Sequence, residues 1–258
     1  MDWAGGVIQL LGSDWLFLLV IAILYWTVDK HIGMKLLVIV TLSVYVHGLI
    51  RYTFSPLPAG STFTFTFPAR EVQAATSFLG FLIPEVSKKR FTLFSSGVIF
   101  LIAGITLVHG AHSLHDVIMA VMIGGFIVYA VYRSMDWIGS VPEPYIFSFS
   151  LVLPSSLLLL FPEGAQYAGF LLGGGIGYSF EKIKTRVSLS SHMQNKIITA
   201  VIGLAGLLII AYAQTWLPST TLFHFIHASL LGVWITFIHP LLSIRLGLNQ
   251  QEEHSFVK

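Results

Sequence analysis

The chain of 258 residues contains no cysteine, and Asp, Glu, Lys and Arg together make up only 10% of it. The missing thiols exclude a disulfide framework, a thiol nucleophile and a cysteine-built metal site. The missing charge excludes more. A soluble globular domain carries about 25% charged residues, so an ordinary soluble protein, a disordered chain and a nucleic-acid binder are set aside. A formal net charge of +2 is too small to point to an acidic partner. A basic n-region is lacking as well, since the chain opens Met1-Asp2-Trp3-Ala4-Gly5-Gly6. Its first apolar run is therefore expected to persist as a helix and not to be cleaved as a signal peptide.

Apolar residues fill the space that charge leaves. They make up 55% of the chain, and mean hydropathy is +0.81. A spanning helix needs about 20 mostly apolar residues. Candidate runs lie near 7–28, 33–52, 70–86, 91–109, 113–133, 145–161, 165–181, 196–216 and 222–244. The third and seventh are short and are expected to tilt or to end within the membrane. The linkers are brief, so no separate soluble domain is expected, and no internal repeat is visible. The fold class is an all-α integral membrane protein of about nine transmembrane helices.

The basic residues orient it. With nine spans and an external N-terminus, all of the 14 lysines and arginines except Arg51 and Arg70 fall on one side. The positive-inside rule makes that side cytoplasmic. The two exceptions lie at the outer face, Arg51 ending the second span and Arg70 beginning the third. The loop between them alternates as Ser61-Thr62-Phe63-Thr64-Phe65-Thr66-Phe67. That pattern suits an extended segment, either an interfacial aromatic anchor or the wall of a binding site.

Polar residues gather at the same face. Glu71 follows Arg70, with Pro68 placed to open a helix. The next outer loop reads His109-Gly110-Ala111-His112-Ser113-Leu114-His115-Asp116, and His47 lies one turn below Arg51. Several of these have ordinary structural uses. The arginines can snorkel to headgroups, and Glu71 can serve the helix dipole or pair with Arg51 or Arg70. Ser113 and Asp116 form a capping pattern before an apolar run.

The run from His112 to Asp116 ahead of a long apolar helix resembles the third signature of the type-2 phosphatidic-acid phosphatase family. That signature is Ser-Arg, five residues, His, three residues, Asp. Phe67-Pro68-Ala69-Arg70-Glu71-Val72-Gln73 falls where the family has Phe-Pro-Ser-Gly-His. Arg51 with Leu57-Pro58 falls near its first signature. The departures are specific. Leu57 replaces an arginine, Ala69, Arg70 and Glu71 replace Ser, Gly and His, and Ile105-Thr106 replaces Ser-Arg.

The resemblance implies a six-helix lipid-phosphatase-like core over 1–162 and a C-terminal membrane extension with a cytoplasmic tail over 163–258. It implies a lipid phosphate, diphosphate or polyprenyl phosphate handled at the outer face of a bacterial plasma membrane, with no cofactor. By position His112 would be the nucleophile, Asp116 its orienting partner and Glu71 the replacement for the proton-donating His. Arg51 and Arg70 would hold phosphate, since guanidinium forks match its oxygens. As a general acid Glu71 needs a raised pKa, whereas a helix start and two arginines favour its ionised form. It is equally readable as an internal substitute for phosphate, paired with an arginine, in a non-catalytic lipid- or partner-binding relative. A metal reading also stands: His109, His112 and Asp116 share a face if one helix reaches back to His109, with Glu71 completing a set of nitrogen and oxygen ligands that suits zinc. A transporter is disfavoured, because the polar groups do not line the midplane.

The second half is plainer. Gly173-Gly174-Gly175-Ile176-Gly177 suits close helix packing. Glu181 with Lys182 and Lys184 is expected at a cytoplasmic helix end. His224 and His227 are expected at the interface, and His239-Pro240 is expected to kink or end the last span.

Overall fold

A computed structural model of the chain describes residues 13–54, 67–108, 112–138 and 143–251. Among them the helices are α1 (Asp14–Thr27), α2 (Lys30–Phe54), α3 (Arg70–Val86), α4 (Lys89–Val108), α5 (Leu114–Ile138), α6 (Glu143–Leu160), α7 (Ala165–Phe180), α8 (Met193–Ala213), α9 (Thr221–Val233) and α10 (His239–Arg245). A π-helical turn, Trp234–Ile238, joins α9 to α10, so the described residues form nine helical rods at the nine expected positions. Five stretches are long and apolar enough to cross a membrane: Lys30–Phe54, Lys89–Val108, Leu114–Ser134, Met193–Trp216 and Thr221–Arg245. The described part of the first rod, α1, runs for 14 residues, and α3 and α7 run for 17 and 16. Straight helices of that length reach about 25 Å, less than the roughly 30 Å hydrocarbon core. The protein is an all-α membrane protein.

Packing divides the chain into two compact units. One is Met1–Leu18 with Val38–Trp137, and the other is Leu19–Leu37 with Ile138–Lys258. The second unit thus takes in α6 and the turn between α1 and α2 together with the C-terminal helices.

In the first unit, α3, α4 and α5 share an apolar cluster of Ala69, Val72, Ala75, Ile102, Val117 and Ala120. A polar seam runs beside it. Gln73 Nε2 donates to the Ser43 carbonyl at 2.8 Å, and Ser77 Oγ donates to Ser43 Oγ at 2.8 Å. In membrane interiors such bonds add affinity between helices that share apolar surroundings with lipid. The seam carries Gln73 up to the start of α3.

In the second unit, α7 and α9 approach backbone to backbone. A Cβ on Gly173 would lie 1.9 Å from the Ser229 carbonyl oxygen, so only glycine fits. The π turn follows from local chemistry. Pro240 has no N–H, so the Thr236 carbonyl loses its usual helical donor and accepts the Tyr25 hydroxyl at 3.2 Å. The His239 N–H bonds the Trp234 carbonyl. That leaves the Ile235 carbonyl to accept Trp26 Nε1 at 2.8 Å. A short antiparallel ribbon, β1 (Val187–Ser188) with β2 (Gln250–Gln251), pairs Val187 with Gln251.

Candidate functional site

The polar end of the first unit is built from helix ends. α2 finishes there with Arg51 exposed in its last turn. α3 begins there at Arg70, with Ala69 as its N-cap. α5 begins there at Leu114, and the Ala69 N–H donates to the Asp116 carbonyl at 3.4 Å. The starts of α3 and α5 are therefore tied to each other. Pro68 precedes the cap and so lies outside the first helical turn expected for it. Ala69 offers no side-chain cap, so first-turn N–H groups of α3 point out of the helix end with its partial positive charge.

Each predicted residue has a definite setting. Arg70 Nη2 hydrogen-bonds Asp14 Oδ1 at the start of α1, with both side chains over one-third exposed. Glu71 Oε2 lies 3.9 Å from His112 Nε2, with side-chain exposures of 24% and 17%. Asp116 is buried, and its Oδ2 accepts the Ser113 N–H at 2.8 Å while its own N–H donates to Ser113 Oγ at 3.2 Å. This is a reciprocal helix cap. The rings of His115 and Phe67 stack at 5.7 Å. His47, buried in α2 beside Gln73, lies within electrostatic reach of Arg51, Arg70 and His112.

Three expectations change. Among the described residues no ion pair joins Glu71 to Arg51 or Arg70: Arg70 pairs with Asp14, and Glu71 Oε2 faces His112 Nε2 at 3.9 Å. Secondly, the carboxylate of Asp116 serves its own helix start, and Glu71 is the carboxylate that faces His112. Thirdly, α5 starts at Leu114, so His112 is not on one helical face with Asp116 as the metal spacing required. Among the described residues no group of three or more His, Asp or Glu is arranged to hold a metal ion. His109 and the Ser61–Thr66 part of the alternating loop lie outside the described residues, as do Leu57 and Pro58.

Two residues gain importance. Asp14 was legible as a charged residue inside the first apolar run, on the side where Arg70 stands. His47 was visible only as a neighbour of Arg51 by helical spacing. His47 and Gln73 interact with each other, whereas Glu71 Oε2 and His112 Nδ1 are buried with no hydrogen-bond partner among the described residues. Such atoms cost about 1–3 kcal/mol each unless a ligand or water completes them. Their concentration around the start of α3 marks this end as a place for a small polar group.

Residues 165–251 match the family model described as PAP2 superfamily phosphatase, transmembrane extension. The match runs from α7 through β2, and the residues of the polar end lie outside it. No curated protein and no solved structure matches the chain.

Proposed function

We propose that this chain, a PAP2-superfamily member with a C-terminal transmembrane extension, binds the headgroup of a lipid phosphate or diphosphate at the outer face of the plasma membrane and hydrolyses it poorly. In this orientation the N-terminus is outside and the C-terminus is cytoplasmic. One observation carries the proposal: buried polar atoms of Glu71 and His112, without hydrogen-bond partners among the described residues, lie at the uncapped start of α3. A phosphate group completes such a set. Its oxygens accept from imidazole N–H groups of His47 and His112, from the Arg70 and Arg51 guanidinium groups and from helix N–H groups. An ionised Glu71 is acceptor-only, so it tolerates a phosphate oxygen only where that oxygen carries a proton.

The weak hydrolysis follows from the same atoms. Nucleophilic catalysis by His112 needs a carboxylate that fixes its ring. Asp116 is committed to the Ser113 N–H, and the buried Nδ1 of His112 has no partner. The approach of Glu71 to the other ring nitrogen supports a residual activity, with Glu71 acting on His112 and not as proton donor to the leaving group.

The test is a binding and phosphate-release assay on purified protein against phosphatidic acid, a polyprenyl phosphate and its diphosphate, with and without chelator. Saturable binding, competed by the phosphorylated headgroup and lost in Arg70→Ala, is the expected result. Glu71→His restores the residue type of the resembled signature. It should raise release by about 100-fold or more, the usual contribution of a placed general acid. Absence of saturable binding overturns the proposal, and release lost to chelator replaces it with metal chemistry.

A further inference from the structure

The second unit holds a small pocket, lined in part by polar side chains, that the phosphate-binding proposal does not use and does not need. Its lining includes Trp26, Lys30, Glu181, Thr199, His239 and Asn249, and its free space suits about one water-sized species. Glu181, expected at an exposed helix end, is instead 1% exposed, as are Thr199 and His239. Each of these three carries a buried polar atom with no hydrogen-bond partner: Glu181 Oε2, Thr199 Oγ1 and His239 Nδ1.

The bonds made by the neighbouring atoms fix what each open atom offers. Glu181 Oε1 is filled, accepting from Lys30 Nζ at 3.1 Å and from the Val187 N–H at 2.7 Å. Oε2 is therefore a bare acceptor. His239 Nε2 lies 3.0 Å from the Thr199 carbonyl. Only a protonated nitrogen makes a hydrogen bond there, so in the neutral ring Nδ1 is a second bare acceptor. The Thr199 hydroxyl can donate. These three residues line the same pocket, and between them they offer two acceptors and one donor.

We propose that this cavity binds a single structural water that donates to Glu181 Oε2 and His239 Nδ1 and accepts from Thr199 Oγ1. The stoichiometry closes: two hydrogens meet two acceptors, and one lone pair meets one donor. Three hydrogen bonds are also typical of a buried protein water. Charge separates water from the alternative occupant, a monovalent cation. Lys30 already neutralises Glu181 across 3.1 Å, so a cation would leave a buried charge uncompensated. A neutral donor carries no such cost. The water joins the end of α7, the start of α8 and the kink before α10 into one network, within the segment matched as the transmembrane extension.

The test uses the full chain in detergent micelles. Thermal midpoints are measured for wild type, Thr199→Val, His239→Phe and the double variant, in sodium, potassium and choline chloride. Phenylalanine keeps a ring against Trp26, whose ring centroid lies 4.2 Å from that of His239. With one shared water, either single change already breaks the network, so the double variant loses clearly less than the sum of the singles. Additive losses overturn the proposal. A midpoint that rises in sodium or potassium relative to choline also overturns it, in favour of a cation. Should the variants fail to fold, wild type decides alone. High-resolution density within about 2.7–3.0 Å of all three atoms upholds the water, and an unfilled cavity refutes it.

Discussion

Replacing Lys30 by methionine should destabilise the second unit far more than a surface charge change does. Glu181 is 1% exposed and its Lys30 partner 17%, at 3.1 Å. Removing one member of a buried ion pair leaves the other charge uncompensated, at a cost of about 3–5 kcal/mol. Lys30 is partly solvated, which argues for the lower end of that range. Its Nζ also donates to the Val187 carbonyl at 3.0 Å, and losing that bond adds about 1 kcal/mol. The expected loss is therefore about 4 kcal/mol. Glu181→Gln should cost less, about 1–2 kcal/mol, because a neutral amide oxygen still accepts from Lys30 and Val187. The decisive comparison is with the double variant. Lys30→Met with Glu181→Gln leaves no buried charge and should be about 1–2 kcal/mol more stable than Lys30→Met alone. Reversible unfolding in mixed micelles, followed by tryptophan fluorescence, measures all three. A Lys30→Met variant within about 1 kcal/mol of wild type, or a double variant weaker than Lys30→Met, would refute the account of this pair.

Gly173→Leu should prevent folding or cost more than about 3 kcal/mol, since its Cβ would meet the Ser229 carbonyl oxygen at 1.9 Å. Gly97→Ala, where no atom lies within 4 Å of the added carbon, should be neutral or stabilise by up to about 1 kcal/mol; thermal unfolding separates the two. Asp14→Asn should change stability by less than about 1 kcal/mol, because the Asp14–Arg70 pair is over one-third exposed. It should tighten lipid-phosphate binding about fivefold by removing a like charge, an effect that added salt reduces. Single cysteines at Ser61 and Ser190 should label from outside and inside respectively, in a parent that has no cysteine; the reverse pattern defeats the proposed orientation.

The helices were legible because membrane periodicity is coarse. Apolar runs that stop near Arg51 and start at Arg70 have few alternatives to two helices, and α2 ends at Phe54 while α3 begins at Arg70. Side-chain pairing was less legible, because proximity between helix ends is set by packing that a linear sequence does not encode. Arg70 stands next to Glu71 in sequence, yet its partner is Asp14, a residue in the first apolar run. Glu181 departs from its expected setting for a related reason. Lys182 and Lys184 beside it suggest an exposed helix end, but the partner that buries it is Lys30, 151 positions away in sequence. The kink at His239-Pro240 is legible, since a missing N–H acts locally. The carbonyls released there capture Tyr25 and Trp26, which no local rule identifies.

The same distinction bears on what the polar end can do. Signature positions fix which residue types arrive at a helix start, while their partners fix the chemistry. At the start of α5 the Ser113–Asp116 cap satisfies two backbone donors at once, and that local bond competes directly with any use of the carboxylate on His112. At the start of α3 the residue at the signature's histidine position is an acid that faces His112 at 3.9 Å. An imidazole and a carboxylate so placed attract each other when both are charged, and on the proposed function that attraction competes with a proton-donor role for Glu71. On the proposed function, these two local choices favour phosphate recognition over turnover. They make Glu71→His and Ser113→Pro complementary probes: the first supplies a proton donor, and the second removes the backbone N–H that holds Asp116 Oδ2. If the double variant releases phosphate faster than either single variant, both choices limit the chemistry. If neither change nor their combination raises release, the limitation lies elsewhere and the account of these two helix starts is wrong.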